Sequence, residues 1–486
     1  MLAPDAFAQA PAAKVTITGL VDNVTSYTKN LSIVDLNVSR EGDSEWYART
    51  RVRPDITAEL GTTKFVLGLE IDHTWGQTGA TDVTAPNRFG TTHSLDLNTD
   101  AIPGIEVKWA YTEFGIPGMP FATRVRLGAQ PWAATYKVSS LATGDFGGVH
   151  LMSTLAPPVK LNLTYAQVEE ESTGPRDGFI RGEDWAMIAS VEITPFKGLD
   201  IRPIYSYFRG DGITSGASRQ GRGGVANSAV FFPGNFIENR HTVGVDARFR
   251  GGPFSLDPTV FFQWGDREIL TATGKEDQDR RAWFVDVRGG FQAGPLLLEA
   301  AVIYTTGNDA GDDIAAGDKV RFYEPISTDT SFYSGWAEHW ALGIDYFNIL
   351  YATAAGLNPG VAIGYDKYGL FRVGARASYA VTPAFTVRAA ATGNWTAEKV
   401  DTDGAITAAG GVTPVNSGDS RYLGTEVDLG FQWRLAPGLA LDVVGAYTWT
   451  GEALESALAV GSNGVIREND DRGDIKTVTA RVRYTF

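Results

Sequence analysis

The residues best suited to chemistry in this chain are arginines set two apart. Arg49, Arg51 and Arg53 form the longest run, Arg124 with Arg126 and Arg481 with Arg483 repeat it, and Arg372 and Arg376 stand four apart. Side chains at i and i+2 share one face of an extended strand. Each set therefore aligns guanidinium groups, whose forked N–H donors bind carboxylates and other oxyanions. The residues between them, such as Val52, Val125 and Val482, are apolar. Glu70 and Asp72 repeat the spacing with the opposite sign. Two readings stand side by side. The strips act on passing ions, or they pair with Asp55, Glu59, Glu70 and Asp72 and stiffen a wall.

Other chemistry is sparse. The histidines are His73, His93, His150, His241 and His339, and none is spaced as His-x-x-x-His or His-Glu-x-x-His. Acidic clusters (Glu169-Glu170-Glu171, Asp309 with Asp312-Asp313, and Glu468 with Asp470-Asp471-Asp474) do not match the calcium-loop pattern and are expected to be solvated loop charge. With no Cys there is no disulfide framework, thiol catalysis or Cys-ligated metal. Neither a phosphate-binding loop nor a dinucleotide fingerprint occurs. No metal and no cofactor is expected, and an enzyme is not expected. The net charge of −15 argues against a nucleic-acid partner.

The elements that carry these residues alternate with period two. In 64–72, Phe65, Leu67, Leu69 and Ile71 oppose Lys64, Glu70 and Asp72. In 425–434, Val427, Leu429, Phe431 and Trp433 oppose Glu426, Asp428, Gln432 and Arg434, and 242–250 repeats the pattern. These are strands with one apolar and one polar side. Short Gly/Pro links such as Gly61-Thr62-Thr63, Gly251-Gly252-Pro253 and Ala436-Pro437-Gly438 join them in pairs. Between the pairs lie long polar segments: 76–103, 169–183, 210–239, 265–280, 307–336, 399–420 and 451–474. Short links at one end and long ones at the other predict an all-β transmembrane antiparallel barrel, with short periplasmic turns and long extracellular loops. The mean hydropathy of −0.12 is compatible with this, because only one face of each strand meets lipid.

Eighteen strands are expected, with sixteen as the alternative. They start near Val15, Trp46, Lys64, Ile105, Phe121, Val149, Val159, Asp184, Leu199, His241, Phe254, Arg281, Leu296, Gly369, Ala384, Tyr422, Leu439 and Ile475. Residues 131–145 are a candidate inward-folded loop. The 320–368 region is too long for a simple loop, and its uncharged part, 346–365, is read as a loop insertion. Ala8-Gln9-Ala10 matches a signal-peptidase site. Residues 1–13 are thus expected to be a signal-peptide remnant or flexible N-terminus, and 14–486 a single barrel domain. Trp46, Tyr47, Trp75, Tyr111, Tyr165, Tyr207, Trp264, Trp283, Trp395, Trp449 and Tyr484 lie near strand ends, as aromatic girdles require. No continuous inner aromatic track is readable, since Phe208, Phe261 and Phe284 are scattered.

The last strand, 475–486, places Val478, Ala480, Val482, Tyr484 and Phe486 on one face and Thr477, Thr479, Arg481, Arg483 and Thr485 on the other. A final amphipathic strand ending Val-Arg-Tyr-Thr-Phe resembles the assembly signal of Gram-negative outer-membrane barrels. With the loop asymmetry, the chain from about Lys14 onward resembles the large porins, and its strand count is similar to specific porins and alginate-export-type barrels.

The resemblance implies a cell outer-membrane porin, a water-filled channel for passive diffusion of ions and small hydrophilic solutes. The alternatives are a substrate-selective channel, or a structural barrel that anchors surface-layer or partner proteins. It implies lipid, lipopolysaccharide, the barrel-assembly machinery and a homotrimer as partners. An arginine near mid-membrane on the lipid face costs roughly 2–4 kcal/mol. Arg49, Arg51, Arg53, Arg124, Arg126, Arg372, Arg376, Arg481 and Arg483, with Glu70 and Asp72, are therefore expected to line the pore. Phe486 is the expected assembly signal.

Overall fold

Alternation maintained over ten to twenty residues favours extended strands, because only that conformation sends every second side chain to the same face. In the computed structural model this occurs along the whole chain. The structure describes residues 13–29, 44–75, 94–95, 104–137, 140–169, 184–211, 236–271, 274–312, 317–326, 368–400, 418, 420–454, 456–460, 466–469 and 474–486. The strands are β1 (Lys14–Lys29), β2 (Ser44–Leu60), β3 (Thr63–Trp75), β4 (Ser94–Leu95), β5 (Gly104–Gly115), β6 (Ala122–Ala133) and β7 (Thr143–Ala156). They continue with β8 (Val159–Glu169), β9 (Asp184–Phe196), β10 (Leu199–Asp211), β11 (Phe236–Gly251), β12 (Phe254–Thr271), β13 (Gly274–Ala293) and β14 (Leu296–Thr305). The last are β15 (Leu370–Thr382), β16 (Phe385–Val400), β17 (Ser420–Ala436), β18 (Leu439–Thr450), β19 (Ser456–Val460), β20 (Ile466–Asn469) and β21 (Ile475–Thr485).

Three of these stand apart from the wall. β4 is a two-residue segment beside β3, and β19 and β20 pair only with each other. The other eighteen form one antiparallel barrel, closed where β21 pairs with both β18 and β1. Closure satisfies the backbone groups that an open sheet would leave bare in hydrocarbon. Two-residue turns join strands at one end, and Gly61, Gly252 and Gly294 sit there at φ of 60°, 56° and 57°, a conformation that favours glycine.

One predicted loop is absent. The 265–280 segment pairs across β12 and β13 from Gly265↔Arg280 to Thr271↔Gly274, leaving only residues 272–273 between the strands. Its polarity belongs to strands that rise past the apolar belt, where the outer face meets water and the inner one, with Arg267, Gln278 and Arg280, packs against residues 317–326. β7 also begins earlier than expected, at Thr143. Residues 1–12, 346–365, His93, His339, Glu170, Glu171, Asp313, Asp470 and Asp471 lie outside the described residues.

The barrel is apolar outside and polar inside. Leu429, Trp46 and Val107 are 70%, 66% and 60% exposed, whereas Asp22, Asp246, Asp286 and Glu426 are fully buried. A water-soluble protein reverses this distribution, while a lipid-embedded barrel requires it. No helix among the described residues is long and apolar enough to cross a membrane.

Aromatic rows border the apolar belt. Toward the long-loop end Tyr165, Trp185, Tyr207, His241 and Trp264 run side by side, with centroids 6.2, 5.3, 5.0 and 5.2 Å apart in turn. Phe254–Phe291 and Tyr484–Phe486 mark the opposite border. From Phe254 to Trp264 along β12 the chain advances about 33 Å, which a tilt of roughly 40° reduces to about 25 Å, the height of an outer-membrane apolar band. Tyr111 departs from the expected girdle. It lies on the inner face beneath the Arg126 guanidinium, 4.7 Å from ring to cation.

Two segments between strands fold into the barrel: the described parts of 134–142 and of 306–326. The buried hydrophobic cluster is therefore inside the cylinder. There Ile188, Phe208, Phe261 and Phe284 of the wall meet Leu141 and Tyr323 of the two segments.

Candidate functional site: the charged inner wall

Register decides which charges meet. β1 sets Asp22 opposite Arg51 on one side and Arg483 on the other. Arg483 Nε donates to Asp22 Oδ1 at 2.6 Å, across the seam that closes the barrel. Arg51 holds Asp72 with two donors at 2.6 Å each and reaches Glu70 at 2.7 Å. Arg53 donates to the other Glu70 oxygen at 2.6 Å. Arg481 donates to Asp442 at 2.9 Å. On β5 and β6, Glu113 collects Arg124 at 2.8 Å, Arg126 at 3.1 Å and Lys64 at 3.2 Å.

The remaining candidates lie elsewhere. Arg376 pairs with Glu299 of β14, and Arg372 Nε donates to Asn394 of β16 at 2.6 Å. They share a strand but neither reaches the β2–β6 cluster. Arg49 is fully buried, opposite Val24 and Thr74. Glu70 and Asp72 are thus the arginine partners the spacing predicts. Asp55 takes a hydrogen bond from the Trp109 indole.

Cations and carboxylates interleave in this sector, with Asp55 facing Lys108 and Arg53 as well. Arg51, Arg53, Lys64, Lys108, Arg124 and Arg126 share Glu70, Asp72, Glu113 and Asp145. Asp22, Lys108, Glu113, Glu299 and Asp442 are not legible as partners in the sequence. Their pairings cross strands far apart in the chain, and only register reveals them. For Lys108 a signal exists. Charge sits at even positions, Glu106 and Lys108, and then at odd ones, Glu113, a phase change that marks a bulge.

The opposite side of the lumen is packed. Tyr136 of the first inward segment lies between the Arg202 and Arg248 guanidinium groups, 3.9 and 4.3 Å from its ring. Its backbone N–H donates to Asp246. Lys137 Nζ donates to the backbone carbonyls of Asp257 and Asp286, the latter at 2.9 Å. Burial pushes the Tyr136 phenol up to about 12 and the Lys137 ammonium below its usual range. In the second segment, Glu324 lies 3.1 Å from Arg240 and 2.9 Å from Arg280, and Gln263 bonds its backbone N–H at 3.0 Å and carbonyl at 2.7 Å.

The two segments also hold each other. Tyr323 Oη donates to the Ser140 carbonyl at 2.7 Å, and Ile326 N–H to the Leu141 carbonyl at 2.7 Å. Phe208, Phe261 and Phe284, scattered in sequence, converge here. Phe208 lies under Arg240, and Phe284 touches both Phe261 and Tyr323. They seat the inward segment rather than form a track along the lumen.

No protein-family model matches the sequence, and no curated protein does. Solved structures do resemble it. OpdK, an outer-membrane protein of Pseudomonas aeruginosa, superposes with a TM-score of 0.51 at 10% identity, over 97% of this chain and 98% of that one. OpdL and OccK8 (OprE) from the same organism each give 0.49, at 11% and 12% identity, over 97% of this chain and 99% and 98% of theirs. At such identities the likeness is one of fold, and it rests on OpdK. Closure, strand number, the apolar outer belt and this likeness agree, and the chain has the eighteen-stranded transmembrane barrel fold seen in the outer-membrane protein OpdK.

Proposed function

We propose that this barrel is a channel through which small hydrophilic solutes diffuse passively, and that the charged sector of β1–β6, β18 and β21 is its conducting surface. One contrast carries the reading. The side chains of Arg124, Lys64 and Arg483 remain 41%, 31% and 31% exposed, while Arg240 and Arg280 on the packed side are 1% exposed. Water therefore reaches the charged groups near the short-turn end of the wall, Arg248 at 46% among them, and is excluded where the inward segments pack.

A substrate-selective channel fits the same geometry. The inward segments take up part of the lumen, and the ordered charges opposite them discriminate solutes by charge and size. Arg51, Arg53, Glu70, Asp72, Arg124, Arg126, Arg481 and Arg483 line the pathway in this account. Arg49, Arg372 and Arg376 support the wall around it. On the same reading the chain sits as a homotrimer among lipid and lipopolysaccharide, delivered by the barrel-assembly machinery through its last strand.

Planar-bilayer recording on the purified chain tests the proposal. Stepwise conductance is expected, together with swelling of liposomes in small sugars. A folded, heat-modifiable barrel that stays electrically silent would overturn it in favour of an anchoring role.

A further inference from the structure

Two lysines stand side by side on the outer face of the seam. β21 pairs with β1 through Thr28↔Thr477, and the ladder ends at Lys29↔Lys476. Thr28 and Thr477 are turned into the barrel, 1% and 2% exposed, so the next pair along the strands is turned outward. Lys476 is exposed and Lys29 partly so. Residues directly opposite in an antiparallel pair have Cβ atoms about 5 Å apart, and like charges there repel. Among the described residues, neither lysine has an ion-pair partner. The neighbouring carboxylate, Asp474, accepts the Tyr447 hydroxyl at 2.5 Å instead.

Their height on the barrel is set by aromatic neighbours. β1 ends at Lys29 and β21 begins at Ile475, so both lysines lie at the long-loop end. At the next outward position toward mid-strand, Tyr27 and Trp46 stand opposite each other, 45% and 66% exposed. Exposed aromatics of this kind mark the border of the apolar belt. The Lys476 ammonium rests 5.3 Å from the Tyr447 ring centroid, a cation–π contact that lays its arm along the wall. On the other side of Lys29 stands Ser44, which accepts the Tyr27 hydroxyl at 3.3 Å and keeps its own proton to donate. Two ammonium groups and a hydroxyl thus form one row across β2, β1 and β21, just above the aromatic border.

We infer that Lys29, Lys476 and Ser44 bind a phosphate of lipopolysaccharide in the outer leaflet. The inference rests on the reading of the chain as an outer-membrane barrel with its long loops outside, and not on conduction. A phosphate seated between the two ammonium groups turns their repulsion into attraction to a shared anion. Lysine arms reach such a headgroup while their stems stay against the apolar wall. Two cations match the phosphate monoester of a phosphorylated glycolipid, which carries about −1.5 to −2. A phospholipid diester carries a single charge and would leave one lysine uncompensated.

The test uses the full chain folded in uncharged detergent and titrated with fluorescent lipopolysaccharide. Affinity is expected to fall about fivefold in Lys29→Gln or Lys476→Gln and about twenty-five-fold in the double variant, one unit charge near the phosphate being lost each time. Replacing both lysines by arginine is expected to preserve it. Without lipid, the double glutamine variant is expected to melt no lower than the parent, because a repulsion has been removed, and this shows that it folds. Enzymatically dephosphorylated lipopolysaccharide is expected to bind parent and double variant alike. Equal affinity of the folded parent and double variant for the phosphorylated form would overturn the site. Competition by phosphatidylglycerol as strong as by lipopolysaccharide would overturn the assignment to a monoester. A parent that conducts in planar bilayers but whose lipid affinity ignores both lysines would overturn the site and leave the channel standing. A silent parent whose lipid affinity follows the lysines would overturn the channel and leave the site.

Discussion

Glu324, on the segment folded against the inner wall, sets its carboxylate 2.9 Å from the Arg280 guanidinium, and the pair is closed off from water at 3% and 1% exposure. Arg240 and Glu238 complete a buried group of two cations and two anions. Removing one member of a buried ion pair strands the others and costs about 3–5 kcal/mol. Glu324→Gln is expected to lower the thermal transition and to make single-channel current larger or noisier, as 317–326 loosens from the wall. Unchanged melting and unchanged current would show that the Gln263 backbone contacts hold the segment alone.

The lipid face makes a prediction that a soluble protein would not. Leu429 is the most exposed large apolar residue in the barrel wall, at 70%. In a soluble protein, Leu429→Arg would be harmless. Facing hydrocarbon near mid-membrane, it costs about 2–4 kcal/mol. The folded fraction in lipid vesicles, read by heat-modifiable migration, is expected to fall. A variant that folds as well as the parent would argue against membrane embedding at β17.

The seam depends on the end of the chain. Gly19 and Phe486 exchange backbone hydrogen bonds at 2.9 and 3.0 Å, and the Phe486 ring stacks on Tyr484. A Cβ at Gly19 would meet the Arg53 carbonyl at 2.4 Å. Deletion of Phe486 and Gly19→Val are both expected to slow barrel closure, seen as slower appearance of the heat-modifiable band during refolding. Closure at the parental rate in both would remove the seam from the folding account.

Docking of the first inward segment is expected to depend on alkaline pH in two phases. Lys137 has its affinity for protons lowered by burial, so the undocked segment binds more protons than the docked one below the ordinary lysine value of 10.5. Docking therefore strengthens as pH rises toward that value. Tyr136 is raised from 10.0 to about 12, so above pH 10 the undocked phenol ionises first and docking weakens. Protection of 134–142 from proteolysis is expected to rise and then fall. Lys137→Met should remove the rising limb alone; if that limb persists, another group controls it.

Alternation, turn chemistry and loop asymmetry were enough to define an antiparallel barrel of eighteen strands and to mark Arg51, Arg53, Glu70 and Asp72 as one inner cluster. These are local signals, carried within one strand or one hairpin. Asp22 with Arg483 and Glu324 with Arg280 were beyond their reach, because each pair joins segments brought together only by register or by the return of a loop into the lumen. Lys108 was legible only as a shift of charge from even to odd positions along β5, since the bulge there reverses the parity on which inward assignment depends. Outside the β5 bulge, the sequence alone determined which face of each strand meets lipid, because hydrocarbon accepts no other pattern. The tertiary structure decided which inner charges neutralise one another and which are left to act on a solute, because that depends on distances between strands.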